Sequence, residues 1–282
     1  MKKTLALLLA LVMCLAMLTA CGSTDDNTTT TPNTDANTDT QQPEDTTEPQ
    51  EPQQTTFTTV KEGVLTMSTN AAFPPYEMTD DSGNVVGIDA EIAGAIADKL
   101  GLELVIDDMD FDAAQLAVQQ GKSDICMAGL SVTEDRLLVM DFSDSYATGI
   151  QVVIVPEGSD VTLDNLGEQL IGTQRATTGN IYCTDDYGED HVIAYDDGIV
   201  AVQDLLNGKV DAVVIDKAPA QEFVSANPGL VILDTEYANE DYAIGVAKGN
   251  TALVDAVNGA LAELTADGTI QSIIEKYIPA EG

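Results

Sequence analysis

Positive charge is scarce in this chain. Lys and Arg total 11 against 48 Asp and Glu across 282 residues, a formal net charge of -37, and Lys2 and Lys3 account for two of the eleven. Affinity for nucleic acid comes mainly from Lys and Arg neutralising phosphates, so a nucleic-acid partner is excluded. A small anionic group can still be held locally, because salt screens surface fields within roughly 8–10 Å. Histidine is nearly absent. His191 is the single one, has no nucleophile in its sequence context, and reads as a polar residue at the start of a strand. There is no Gly-x-Ser-x-Gly elbow, phosphate loop or zinc-ligand spacing, so no catalytic residue, metal or cofactor is expected. Acidic residues are too many for any one pair to be informative.

Long apolar runs are missing too. The stretch at residues 5–18 is about 14 residues, short of the ~20 that a crossing helix needs. With MKK before it and Leu18-Thr19-Ala20-Cys21 at its end, it reads as an export signal over residues 1–20. The Leu-x-Ala-Cys ending resembles a bacterial lipobox, which implies lipid on Cys21 and anchoring by buried methylenes at ~0.8 kcal/mol each. Of the four cysteines, Cys14 leaves with the signal. Cys126 and Cys183 fall in separate halves of the folded region. They are expected as small buried hydrophobes, not as a disulfide, although an exported chain meets oxidising conditions.

Residues 22–56 contain no aromatic and almost no aliphatic side chain. Such a stretch cannot bury enough surface to offset its ordering entropy. Residues 21–57 are therefore expected to be a disordered acidic, Thr/Pro-rich tether, spanning roughly 30–35 Å root-mean-square. It would let a globular head clear the membrane.

From about Phe57 the pattern alternates strand and helix. GVLTMS (63–68) is a strand candidate; Ile88, Ile92, Ile96 and Leu100 form a helical stripe with Gly101 at the left-handed C-cap position. Residues 102–106 are a short apolar run, and Ala113, Leu116 and Ala117 mark a helix closed by Gly121. This alternation argues for parallel sheets with helices on their faces. An internal echo supports two similar units: LVIDD, a helix and GKSDICMAG are repeated as VIAYDD, a helix and GKVDAVVID. A strand over residues 242–248 and a C-terminal helix carrying Leu253, Val257, Leu261 and Leu264 complete the pattern.

Only two arginines exist, Arg136 and Arg175. Arg136 lies in AGLSVTEDRLLVMDFSDSY, five residues after Ser131. Alone it reads as a solvated charge or as an anion holder. Open α/β sheets bind ligands at the carboxyl ends of their strands. A hydroxyl, turn amides and a guanidinium there can satisfy a carboxylate. Asp216, ending the echoed strand, could pair with an ammonium. Carboxylate plus ammonium describes an α-amino acid.

The chain resembles the amino-acid-binding family of solute-binding proteins of bacterial uptake transporters. The likeness runs through AAFPPYEMTDDSGNVVGIDAEIAGAIADKLG, MDFDAAQLAVQQGKSDICMAGLSVTEDR, MDFSDSY, IGTQRATTG, LLNGKVDAVVID and DGTIQSIIEKY. It implies an α/β, two-lobed periplasmic-binding-protein-like fold (type II), with two hinge strands and a ligand cleft between lobes. Lobe 1 would be residues 58–147 and 243–282, lobe 2 residues 148–242, and the hinges would lie near 146–150 and 238–242. The resemblance implies that Arg136 pairs with the ligand carboxylate, helped by the N–H groups of Ser131 and Thr178. The Gly129 carbonyl, the Ser131 hydroxyl and Asp216 would take the ammonium. Phe73 and Phe111 would sandwich the side chain, and Asn70 and Gln174 would tune its choice. Family members often have Gly where Ala176 stands, which leaves the Thr178 contact open. Arg175 is expected on the surface of its lobe. Tyr76 either lines the cleft or packs, and Asp124 and Asp211 are expected to do turn chemistry.

The expected function is an extracytoplasmic, lipid-anchored binding protein that hands an amino acid to the transmembrane subunits of an ABC permease as a monomer. It is not expected to be an enzyme. A dehydratase-like enzyme on the same fold and a ligand-sensing receptor component are the alternatives. A polar neutral ligand is the first expectation and a cationic one the second.

Overall fold

The computed structural model describes residues 57–279. The export signal, Cys21 and the tether up to residue 56 lie outside the described residues. Strand β1 (Val64–Thr69) is buried throughout, and short strands β2 (Ala72–Phe73), β3 (Glu77–Thr79) and β4 (Val85–Val86) form a small antiparallel sheet after it. Helix α1 (Ile88–Leu100) follows, with Ile88, Ile92 and Ile96 fully buried as their spacing predicts. It ends at Gly101, φ 70°, whose N–H bonds the Ala97 and Asp98 carbonyls. Strand β5 (Glu103–Asp108), helix α2 (Phe111–Gln119), strand β6 (Ile125–Cys126) and the one-and-a-half-turn helix α3 (Glu134–Val139) complete the first unit.

Strand β7 (Met140–Pro156) is 17 residues long and leads out of that unit. Beyond it lie β8 (Ile171–Gln174), α4 (Thr178–Tyr187), β9 (Val192–Tyr195), α5 (Gly198–Leu206), β10 (Ala212–Asp216), α6 (Lys217–Ala226) and β11 (Leu230–Ile232). Strand β12 (Ala238–Ala247) returns antiparallel to β7, and helices α7 (Thr251–Ala266) and α8 (Thr269–Tyr277) finish the described chain. The single C-terminal helix read from the sequence is thus two, broken at Gly268, which sits at φ 82°.

One sheet runs β5-β1-β6-β12-β7-β10-β8-β9, with β11 also beside β7. The internal echo is visible in its order. In each unit the first strand is central: β1 lies between β5 and β6, and β8 lies between β9 and β10, all parallel within their unit. The two Gly-Lys-x-Asp corners work alike. Gly121 and Gly208 have φ 65° and 66°. Asp124 accepts from the Val60 and Thr66 N–H groups at 2.6 and 2.8 Å, and Asp211 accepts from Leu170 N–H at 2.9 Å. Each carboxylate pins the entry to its unit's central strand. Cys126 and Cys183 are buried and unlinked.

Strands β7 and β12 are the two connections between units, and they are paired to one another across the crossing. Gly149 on β7 packs on the ring of Tyr242 on β12: a Cβ there would lie 2.5 Å from Cε1, Cζ and the hydroxyl. Tyr242 cannot retreat, because it is fully buried, edge-on to Tyr76 and hydrogen-bonded to Asp216. Gly149→Ala is therefore expected to destabilise the protein by about 1–3 kcal/mol, the usual cost of overpacking, read as a lowered denaturation midpoint. A midpoint equal to wild type would show that the crossing is loosely packed.

Candidate ligand-binding site

Most ligand-site residues read from the sequence lie at or just past a strand's carboxyl end. Asn70 follows β1, Phe111 follows β5, and Gly129 and Ser131 follow β6; Gln174 and Asp216 end β8 and β10, and Thr178 opens α4. The two units turn these ends toward one another.

Arg136 is held in α3, whose Thr133 cap accepts the Arg136 N–H at 3.2 Å. Its side chain is only 6% exposed. Nε donates to Gln115 Oε1 at 3.1 Å, one terminal nitrogen to Ser131 O at 2.8 Å, and the other to Ala176 O, across the gap, at 3.0 Å. A guanidinium carries five N–H donors. Three are used, which leaves one on each terminal nitrogen, the fork a carboxylate accepts. Among the described residues no carboxylate lies within ion-pair distance of it. The Phe111 ring lies beneath it, 5.5 Å to the centroid.

Two further donors stand nearby. Val132 N–H bonds Asp241 O and Ala243 N–H bonds Leu130 O, so Ser131 is the non-bonded member of an antiparallel pair with Tyr242. Its N–H and C=O both point away from β12. Since that C=O meets Arg136, the Ser131 N–H opens on the guanidinium's side. Thr178 heads α4, where backbone N–H groups without helical partners and the helix dipole favour an anion. Ala176 stands where members of the family that the chain resembles often have glycine. It adopts φ 61°, a left-handed conformation that costs a non-glycine residue roughly 1–2 kcal/mol, and offers its carbonyl to Arg136.

Asp216 forms the opposite pole. One oxygen accepts from the Tyr242 hydroxyl and the other from Gln151 Nε2 at 2.8 Å. Burial is the main influence on it and pushes its pKa up to about 7, against the pull of those two hydrogen bonds. No cation pairs with it among the described residues. Gly129 adopts φ 54° and donates its N–H to Asp89 at 2.9 Å; a Cβ there would come within 2.7 Å of Phe73.

Beside Asp216 is a narrow space of about 10 Å³, lined by Asn70, Phe73, Phe111 and Gln174 among the expected residues and by Asp216 itself. Gln174 donates to Asn70 at 2.9 Å across it. Glu77, which the sequence reading passed over inside the FPPYE stretch, lines it as well. It is fully buried, and its carboxyl group meets that of Asp89, the two sharing a hydrogen bond when Glu77 is protonated. Burial first, and then the charge of buried Asp89, raise Glu77 well above the usual carboxylate range. Gln151 and Glu240 were also missed.

The other residues weighed in the sequence lie apart, except Tyr76, which adjoins the site. His191 meets only the Gln169 carbonyl, at 3.2 Å, before β9. Arg175 is exposed and paired with Asp196 at 2.6 Å. Tyr76 packs between Phe73 and Tyr242. Among the described residues there is no His/Cys/Asp/Glu cluster able to hold a metal, and no helix long and apolar enough to cross a membrane.

Known proteins share this fold. The family model described as bacterial extracellular solute-binding proteins, family 3, matches residues 65–280. A probable histidine-binding protein of Neisseria gonorrhoeae is 31% identical over 78% of this chain and 84% of its own. ABC transporter arginine-binding protein 1 of Escherichia coli (strain K12) is 29% identical over 76% and 90%. The arginine-bound form of truncated ArgBP from T. maritima is 38% identical, covers 72% of this chain and 96% of its own, and superposes with a TM-score of 0.68. The fold is the two-lobed, mixed α/β periplasmic-binding-protein fold, and the chain belongs to family 3 of the bacterial extracellular solute-binding proteins.

Proposed function

We propose that the amino acid captured by this chain is cationic, with arginine-like ligands preferred over neutral ones. Capture of an amino acid for an ABC permease, outside the cytoplasm, follows from family membership and from relatives named for histidine and arginine binding. The choice of a cation rests on one observation. Three buried ionisable groups have no ion-pair partner among the described residues: Asp216 and Glu77, which line one space together, and Arg136, which stands outside that lining against the ring of Phe111, one of its walls. One positive and two acidic groups complement a ligand with one carboxylate and two cations. This reverses the order expected from the sequence, in which a polar neutral ligand came first.

In this reading Arg136 and the Ser131 and Thr178 N–H groups hold the carboxylate. Asp216, the Gly129 carbonyl and the Ser131 hydroxyl hold the ammonium. Phe73 and Phe111 flank the side chain, with Asn70, Gln174 and Glu77 at its far end. Each lobe offers half of the site, so the ligand binds the closed form better and shifts the population toward it. The lobes divide at residues 146–150 and 238–242, where β7 and β12 cross. The chain performs no chemistry of its own, works as a monomer, and is tethered by lipid on Cys21. Thermal-shift measurements across the twenty amino acids and cystine test the ligand class. At about 100 times Kd a specific ligand adds about 2.7 kcal/mol of stability. A neutral amino acid giving the largest shift would refute the cationic reading.

Affinity should also depend on pH with a fixed sign. In the free protein Asp216 titrates at about 7. An ammonium beside it favours the ionised form, so binding releases a proton wherever free Asp216 is protonated. Affinity is expected to weaken as pH falls through about 7, by up to about tenfold per unit for Asp216, and more steeply wherever Glu77 is also protonated in the free protein. Titration calorimetry in buffers of different ionisation enthalpy would register the released proton. Affinity that rises on acidification would exclude Asp216 as the ammonium's partner.

A further inference from the structure

Glu240 stands on β12 midway through the crossing, and its carboxylate touches both lobes. Oε2 accepts from the Ser131 hydroxyl at 3.0 Å, which belongs to the first unit, and from the Thr178 hydroxyl at 2.9 Å, which belongs to the second. It accepts as well from Gln151 Nε2 on β7 at 3.1 Å. The same Gln151 nitrogen donates to Asp216 at 2.8 Å. One carboxylate oxygen on a connecting strand therefore gathers the two hydroxyl residues flanking Arg136 and, through one amide, the acidic pole.

The chemistry favours this arrangement over a chance contact. Hydrogen bonds to an ionised acceptor are roughly twice as strong as neutral ones. The contacts are partly or wholly shielded from water, where such bonds are strengthened. Neither hydroxyl is needed to donate to the ligand, since Ser131 and Thr178 reach a carboxylate through their N–H groups. Committing the hydroxyls to Glu240 fixes the rotamers and orients the backbone of both residues. If the lobes swing apart about β7 and β12, Ser131 and Thr178 separate and Glu240 must release one of them.

We propose that Glu240 is the latch of the closed form, a positioning residue that joins the two lobes through the Ser131 and Thr178 hydroxyls and ties that junction, through Gln151, to Asp216. The inference rests on the cleft reading above for where the ligand sits, but the latch is a property of the chain itself.

L-arginine is the probe. In Glu240→Ala its dissociation rate, followed by stopped-flow fluorescence, is expected to rise about tenfold, the equivalent of one charge-assisted hydrogen bond, with the association rate within about twofold of wild type. Thr178→Val, which removes the hydroxyl and keeps the N–H, should reproduce much of that effect. The double variant should add little to either, because both delete one junction. Glu240→Gln, which keeps an acceptor oxygen without the charge, should recover part of the loss. A role confined to fold stability would lower the melting temperature without moving the dissociation rate. An unchanged dissociation rate in Glu240→Ala, or additive effects in the double variant, overturns the latch. Arg136→Ala is the control for the cleft: it should abolish L-arginine binding whether or not the latch exists. If wild-type protein binds none of the twenty amino acids, the cleft reading falls, and the latch is judged on ligand-free protein. Spin labels on Asp98→Cys and Asp185→Cys, one on each lobe, would then report lobe separation. A wider distribution in Glu240→Ala than in wild type supports the latch, and identical distributions overturn it.

Discussion

Arg136→Ala is expected to lower the affinity for the amino-acid ligand at least about 100-fold. Removing one partner of a buried ion pair costs about 3–5 kcal/mol, because the charge left behind stays desolvated and alone. The ligand carboxylate has no alternative cation in the site: Arg175 is exposed and already paired with Asp196. Two backbone N–H groups and a helix N-terminus remain, each contributing far less than a bidentate guanidinium. Arg136→Lys keeps the charge but not the fork, and would lose the bonds to Gln115 and Ala176 that aim it. It is expected to fall between wild type and alanine. Calorimetric titration decides this. Near-normal affinity in Arg136→Ala, with the fold intact by circular dichroism, would mean that the carboxylate is held elsewhere. The variant should stay folded, since in the ligand-free chain Arg136 is itself a buried charge without a counter-ion.

Local patterns were readable from the sequence, and non-local placement was readable only where the chain repeats itself. The Ile88, Ile92, Ile96 stripe and its Gly101 stop depend on neighbours a few residues away, and both stand as the spacing says. The echoed Gly-Lys-x-Asp corners signalled two like units, and the sheet has the same central-first order in each. Strand β12 was read as starting at Tyr242 but starts at Ala238, because Asn239, Glu240 and Asp241 look like loop residues until β7 is known to pair with them. Arg136 stood out because arginine is rare here. Glu77 and Glu240 did not stand out, because 48 acidic residues hide the few that are buried. A carboxylate flanked by Pro-Pro-Tyr on one side and Met on the other was the available signal for Glu77, an acid in an apolar setting. Its meaning depended on Asp89, Asp216 and the narrow space, none of which is local in sequence.

Glu77→Gln is expected to change which ligand binds while leaving the fold in place. In the free protein Glu77 is fully buried against Asp89, and burial first, then that carboxylate, hold it well above the normal carboxylate range. An amide of the same shape removes the tendency to carry a buried charge, so the ligand-free variant should melt no lower than wild type. With a cationic side chain in the space, Glu77 ionises and forms a buried pair; without the carboxylate, that cation is stranded. The loss for L-arginine is therefore expected to be about 100-fold or more, from the 3–5 kcal/mol cost of breaking such a pair. L-citrulline, which has nearly the same shape with a neutral urea in place of the guanidinium, meets no stranded charge in the variant. Its affinity should be unchanged or improved. The measurement is the ratio of the two affinities by titration calorimetry, which cancels any general damage to closure or to the Arg136 pole. Wild type should favour L-arginine strongly, and the variant should shift the ratio about 100-fold toward L-citrulline. An unmoved ratio would place the side-chain cation away from Glu77 and leave its buried carboxyl to the packing of the first lobe.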